Sequence, residues 1–227
     1  MITDKTHVSV WGRTLEEYFK MFRLDNSYIK AKILSIADGP STFNLEMQQL
    51  GGKVTSIDPI YNLSNEELKT TFAKSYQFNK DLFYNNKQNF SFNTDSEIEV
   101  LLNKRQNTFE TFLQDFEQNK SNYLFGQLPQ IDFPNNSFDL CLCSNLLFIF
   151  DHIFNADFHV NSIREMLRVA KEVRVFPIYN IDGLQSNYLN DITNYLNNSN
   201  ISWQLKENNY FVYKNGNKYL QINGATE

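Results

Sequence analysis

The chain has 227 residues, 41% of them hydrophobic and 15% aromatic, which is enough apolar material for one sizeable core and excludes general disorder. Lysine and arginine number 21 against 26 acidic residues, a formal charge of −5, so there is no general attraction to nucleic acid or anionic lipid and a small molecule is the expected partner. The opening MITDKTHVSVWGR lacks the apolar core of a signal peptide, and no stretch approaches the roughly 18 apolar residues that cross a membrane, so a cytoplasmic protein without membrane contact is expected.

Residues 14–24, TLEEYFKMFRL, place Leu15, Tyr18, Phe19 and Phe22 at helical spacing behind Thr14, with Glu17 completing a capping box. The run KILSIA (32–37) reads as a strand that ends at Asp38-Gly39-Pro40-Ser41. FNLEMQQL then has helical periodicity up to the stop at Gly51-Gly52. KVTSID (53–58) is β-branched and halts at Pro59, so 32–58 form one βαβ unit with its two strands adjacent and parallel. Residues 64–120 are polar and aromatic with helix-like spacing and too long for an ordinary crossover, which predicts a helical insertion or lid within a single domain spanning 1–227.

After the insertion, NYLFGQLP resumes the pattern, and the polar turn PNNS leads into a strand over Phe138 to Ser144. A helix is predicted over 156–169, a strand over KEVRVF (171–176) stopping at Pro177, and a helix over 185–198. The final segments read as strands joined at an Asn215-Gly216 hairpin turn, so the sheet should finish antiparallel. Cys141 and Cys143 lie two apart in a strand, where a mutual disulfide is geometrically implausible and buried free thiols are expected.

The strand, the turn at Asp38 to Ser41, the helix and then Asp58 at the next strand tip reproduce nucleotide-site spacing. A glycine lets a ligand approach the backbone, and an acid about 20 residues on can accept both ribose hydroxyls. The bland alternative is that Gly39 only makes a turn and Asp58 only caps the following loop. A dinucleotide oxidoreductase is disfavoured, because G-x-G-x-x-G is missing.

IADGPSTFNLEM resembles the glycine-rich first motif of class I S-adenosylmethionine-dependent methyltransferases, VTSIDPIY their second-strand acid, and LPQIDFPNNSFDLCLCSNLLF their fourth-strand motif. In particular the chain is similar to a bacterial group with a Gly-Pro-Ser-x-Phe-Asn first motif and a segment like Leu167 to Pro177, the likeness running from Trp11 to about Ile222. Ser35, Ala37 and Ser41 stand where the wider superfamily has an acid, a glycine and a glycine. The resemblance implies an α/β, Rossmann-like, mostly parallel sheet that binds S-adenosylmethionine. It implies that Asp38, Gly39, Pro40 and Ser41 face the methionine half and Asp58 and Pro59 the adenosine half. Gln127 and Leu128 fall at the adenine, and Ser144 and Asn145 beside the sulfonium. Methyl transfer to a small-molecule acceptor is the expected activity, and a non-catalytic module holding S-adenosylmethionine or S-adenosylhomocysteine is the alternative.

Arg13 and Tyr18 are weaker candidates for the methionine carboxylate, with ordinary amphipathic packing as the alternative. His152 and His159 could share a helical face with Asp151. His159 matches a histidine of the resembled group and is a weak catalytic candidate, against core packing or capping. Arg164, Arg168 and Lys171 are expected to line one solvated helix face. No metal site and no oligomeric state are implied.

Overall fold

The computed structural model describes residues 8–210, 212–214 and 216–224. Helix α1 (Leu15–Phe22) opens at the expected capping box, with the Thr14 backbone N–H donating to the Glu17 carboxylate at 3.0 Å. Strand β1 (Lys32–Ile36), helix α2 (Phe43–Gln49) and strand β2 (Lys53–Ile57) form the predicted βαβ unit, with β1 and β2 paired in parallel from Lys32 opposite Lys53 to Ile36 opposite Ile57.

Two long helices, α3 (Asn65–Asn85) and α4 (Asp95–Gln118), then leave the sheet. Each starts at its own capping box, Ser64 with Glu67 and Thr94 with Glu97. They pack on each other through aromatic rings, Phe72 lying flat on Phe109 at 4.0 Å, and bury a cluster of their own with Leu68, Phe112 and Phe116. Each such side chain removed from water contributes about 1.5–3 kcal/mol, so the insertion is helical because its aromatic residues find partners within it.

The chain returns through β3 (Tyr123–Leu124), β4 (Phe138–Ser144), α5 (Ala156–Val169), β5 (Ala170–Phe176), α6 (Leu189–Asn198), β6 (Trp203–Glu207) and β7 (Lys218–Asn223). One sheet results, in the order β3-β2-β1-β4-β5-β7-β6, parallel except where β7 joins β5 and β6. Alternation along β1 sends Leu34 and Ile36 to the face covered by α5 and α6, and Ile33 to the face covered by α1 and α2. The fold is therefore a three-layer, Rossmann-like α/β domain whose strand order reverses direction between β1 and β4. In open α/β sheets that reversal opens a crevice at the strand C-termini, where ligands bind.

Four local expectations are corrected. The helix predicted from 185 starts at Leu189, because Gln185 instead bridges to Tyr179 and the Asn180 side chain turns the loop by accepting from Asp182 and Leu184 N–H groups. The β6–β7 connection is longer than a two-residue hairpin turn, since β6 ends at Glu207 and β7 starts at Lys218. It spans 208–217 and is drawn out to the insertion, where Ser91 N–H donates to Val212 O and Lys214 N–H to Asn89 O; Asn215 itself lies outside the described residues. Lys171 is a β5 residue paired with Asp139, not a neighbour of Arg168 on a helix, since α5 ends at Val169. His152 precedes α5 and shares no helical face with His159.

Cys141 and Cys143 are buried free thiols, and burial pushes the Cys143 pKa up to about 12. Among the described residues no helix is long and apolar enough to cross a membrane.

Candidate functional site

A cavity of about 430 Å3 opens over the C-terminal ends of β1, β2 and β4. Of the residues singled out in the sequence, Arg13, Gly39, Asp58, Pro59, Gln127, Leu128, Ser144 and Asn145 line it together. Three backbone features build the rim. Gly39 has a φ of +61°, a conformation that glycine adopts without strain. Ala37 and Asn145, at the tips of β1 and β4, are held at +54° and +53°, where non-glycine residues are strained and where such strain clusters at functional sites. Ahead of α1, the segment through Gly12 crosses the β1–α2 turn so closely that a Cβ on Gly12 would lie 1.8 Å from the Pro40 carbonyl oxygen.

Asp58 is 8% exposed at the end of β2. Its carboxylate accepts from the Gly39 N–H at 2.9 Å and the Ile60 N–H at 3.0 Å, which ties the β1 turn to the β2 tip. The capping role is thus real, and it leaves half of the carboxylate's roughly four acceptor positions uncommitted. Burial pushes the Asp58 pKa up to about 6; the two N–H groups pull it down, and Asp38 nearby adds to the rise.

Asp38, Pro40 and Ser41, which the resemblance places at the methionine half of the cofactor, do not line the cavity. The Asp38 carboxylate is turned inward beneath the sheet tips, 3% exposed, and accepts from the Tyr18 hydroxyl and from Ser56 Oγ at 2.5 Å. Burial raises its pKa against these hydrogen bonds. Ser41 Oγ donates to Arg13 O at 2.6 Å and accepts from Phe43 N–H, so it fastens the N-terminal segment to the start of α2. Pro40 is buried under Gly12.

Tyr18, the weaker candidate for the methionine carboxylate, does not line the cavity either. Its ring is fully buried against Phe43 at 4.1 Å, and its hydroxyl meets Asp38, Ser35 at 3.2 Å and Ser144 at 3.1 Å. His159 does not line the cavity. Its Nδ1 meets Asn155 O at 2.7 Å and its Nε2 meets Leu147 O at 3.0 Å, fastening the start of α5 to the loop after β4, and burial lowers its pKa.

The opposite wall comes from the insertion and the β6–β7 connection, through Asn79, Leu82 and Phe83 of α3, Leu101 and Arg105 of α4, and Tyr210 and Tyr213. Arg105, 1% exposed, donates from both Nη atoms to Glu17 at 2.6 Å each and from Nη2 to the Tyr210 hydroxyl at 3.1 Å, while Tyr210 donates to Glu17 at 3.0 Å. Burial alone would raise the Glu17 carboxyl, but the Arg105 guanidinium, with Lys104 and Arg13, holds it well below the usual carboxylate range. Sequence reasoning missed Arg105 and Tyr210. One signal was present: Arg105 falls between Leu102 and Phe109 on the apolar stripe of α4, where a charge demands a buried partner.

Arg13 carries no carboxylate partner within ion-pair distance among the described residues, and its Nη1 donates to Trp11 O at 3.0 Å. The apolar part of the cavity, with Ile36, Leu128, Ile149, Phe150 and Phe154, adjoins these polar groups.

No family model matches the chain. A solved structure of magnesium protoporphyrin IX methyltransferase from Synechocystis PCC 6803, with bound S-adenosylhomocysteine, superposes with a TM-score of 0.51 at 11% identity, covering 93% of this chain and 82% of that one. An S-adenosylmethionine-dependent methyltransferase from Methanosarcina mazei gives a TM-score of 0.47 at 12% identity, over 88% of this chain and 96% of that one. The superposition on the Synechocystis enzyme shows a shared Rossmann-like fold. In sequence, the chain is 34% identical over 212 residues, 93% of its length and 94% of the relative's, to the uncharacterized protein MJ0045 of Methanocaldococcus jannaschii, and it belongs to that protein's family. This relative is archaeal, whereas the sequence resemblance pointed to a bacterial group.

Proposed function

We propose that the protein binds S-adenosylmethionine in this cavity and transfers its methyl group to a small-molecule acceptor. The observation that carries the reading is Asp58: a buried acid at the β2 tip, joined to the Gly39 turn, beside the strand-order reversal, with acceptor positions left for ribose hydroxyls. The donor set suits the cofactor. Asp58 would take the ribose, Pro59, Gln127 and Leu128 the adenine, Arg13 the methionine carboxylate, and Ser144 and Asn145 the region of the sulfonium, with Gly39 giving close backbone approach. When bound, S-adenosylmethionine supplies an electrophilic methyl on a positively charged sulfur. The chain's own task is to hold donor and acceptor in line while excluding water, which supplies most of what such a displacement needs. The apolar side chains of α3 and of the loop after β4 provide that exclusion.

One observation favours the alternative of a non-catalytic binding module: among the described residues that line the cavity, Asp58 is the sole acid and there is no histidine. Mass spectrometry of ligand carried through purification, followed by assay of S-adenosylhomocysteine release with a metabolite pool, separates the readings. Cofactor with turnover supports methyl transfer, cofactor without turnover supports the module, and a nicotinamide contradicts both.

A further inference from the structure

The polar groups beneath the β4 tip have a directional order. The Tyr18 phenol has one proton and two acceptor positions. Its proton goes to the Asp38 carboxylate, which as an ionised acid can only accept. Ser35 Oγ donates to the phenol oxygen at 3.2 Å, and Ser144 Oγ lies 3.1 Å from the same oxygen. With the Tyr18 proton committed, Ser144 must be the donor in that contact. The second carboxylate oxygen of Asp38 is taken by Ser56, which in turn accepts from Asn44 at 3.1 Å, so nothing in the cluster pulls the chain the other way. Ser144 therefore presents only lone pairs to the cavity, and among the described residues no donor occupies them.

Resting on the methyltransferase reading above, we propose that Ser144 is the group that receives a proton from the acceptor, with Tyr18 and Asp38 as positioning residues that carry it inward. The acceptor atom is then one that bears a proton, a hydroxyl or amine rather than a thioether or tertiary nitrogen. As the acceptor's lone pair forms its bond to the methyl carbon, the electrons of the broken S–C bond stay on sulfur, and the acceptor sheds one proton. Ser144 Oγ takes that proton and passes its own to the Tyr18 oxygen, and Tyr18 passes its own to Asp38. The relay resets by returning the proton through Ser144 once product leaves. This supplies a base to a cavity whose described lining residues include none near β4, because the base is one layer down. Its burial raises the Asp38 pKa, which suits a proton acceptor.

The test needs no acceptor. Sinefungin carries an amine-bearing carbon where the cofactor carries its methylsulfonium, and S-adenosylhomocysteine has neither; calorimetry on the full chain gives the ratio of the two affinities. An acceptor-only Ser144 should favour the ammonium, a bond to a charged donor being equivalent to about tenfold or more. The ratio should fall about tenfold in Ser144→Ala and in Asp38→Asn, each variant referenced to its own S-adenosylhomocysteine affinity so that a general loosening cancels. It should also fade in the wild type at low pH, because a protonated Asp38 can donate to Tyr18 and reverse the chain.

The titratable groups around Asp38 are Tyr18 of α1, Tyr61 after β2, Tyr123 of β3 and Asp58. The tyrosines stay neutral in this range, burial having raised them, and Asp58 meets the ribose that both ligands share, so it drops out of the ratio. A ratio unchanged by both substitutions and flat with pH overturns the relay while leaving cofactor binding intact. Absence of S-adenosylhomocysteine binding to the wild type overturns the methyltransferase reading itself, and the relay with it.

Discussion

Two buried acids lie on opposite sides of the cavity, Asp58 lining it at the sheet tips and Glu17 behind the Arg105 wall, with exposures of 8% and 4%. Glu17 is met by a bidentate arginine and a tyrosine and is held far below its ordinary pKa. Asp58 is met by two backbone N–H groups and, among the described residues, by no cation, and burial raises its pKa to about 6. The acid with a full set of strong partners serves the fold, tying α1, α4 and the β6–β7 connection together. The acid left short of partners has acceptor positions to offer a ligand.

Removing the cation should have the largest effect. Arg105→Met leaves Glu17 charged and buried, and should cost about 3–5 kcal/mol of stability, read by urea unfolding. Adding Glu17→Gln should restore part of it, and a double-mutant cycle showing no coupling would contradict the proposed lock. Gly12→Ala should cost about 1–3 kcal/mol, the scale of overpacking, because Cβ and the Pro40 carbonyl cannot occupy the same space.

The Asp58 wall should respond to pH instead. A carboxylate accepting ribose hydroxyls must be ionised, so S-adenosylhomocysteine affinity should drop about tenfold between pH 7 and pH 5, on either side of the folded-state pKa of about 6. The stability sign runs opposite. The raised pKa means that Asp58 opposes folding increasingly as pH climbs from its ordinary 3.8 towards 6, whereas Glu17 favours folding until acid protonates it. A calorimetric titration in the same buffers that is flat with pH would remove the ribose role.

The smallest effect concerns motion. Because Arg105 is locked, we propose that, of the two readings of the insertion, α4 is a fixed wall rather than a lid, and hydrogen exchange of residues 98–112 should change little on cofactor binding. Strong protection appearing only with ligand would restore the lid.

The sheet-tip wall was largely legible in the sequence because it is made locally. A strand, a turn, a helix and an acid follow within 27 residues, 32–58, and the periodicities that fix them need no tertiary knowledge. What the sequence hid is direction. Asp38 sits beside Gly39 in the chain yet points into the core, because Ser56 and Tyr18 hold it there from β2 and α1. The insertion was legible as helical, but its use of Arg105 depends on Glu17, 88 residues away, and on Tyr210, 105 residues away. The β6–β7 connection was misread for the same reason: its partners, Asn89 and Ser91, lie in the α3–α4 turn rather than next to it in sequence.

Whether Asp58 holds a nucleoside ligand is decided by calorimetric titration of S-adenosylhomocysteine into wild-type protein and folded Asp58→Ala. Wild-type binding should be measurable, and weakened by about 2–4 kcal/mol in the variant as one or two hydrogen bonds to a charged acceptor are lost. Wild-type affinity in a variant shown to be folded would mean that Asp58 only caps the turn after β2 and holds no ribose.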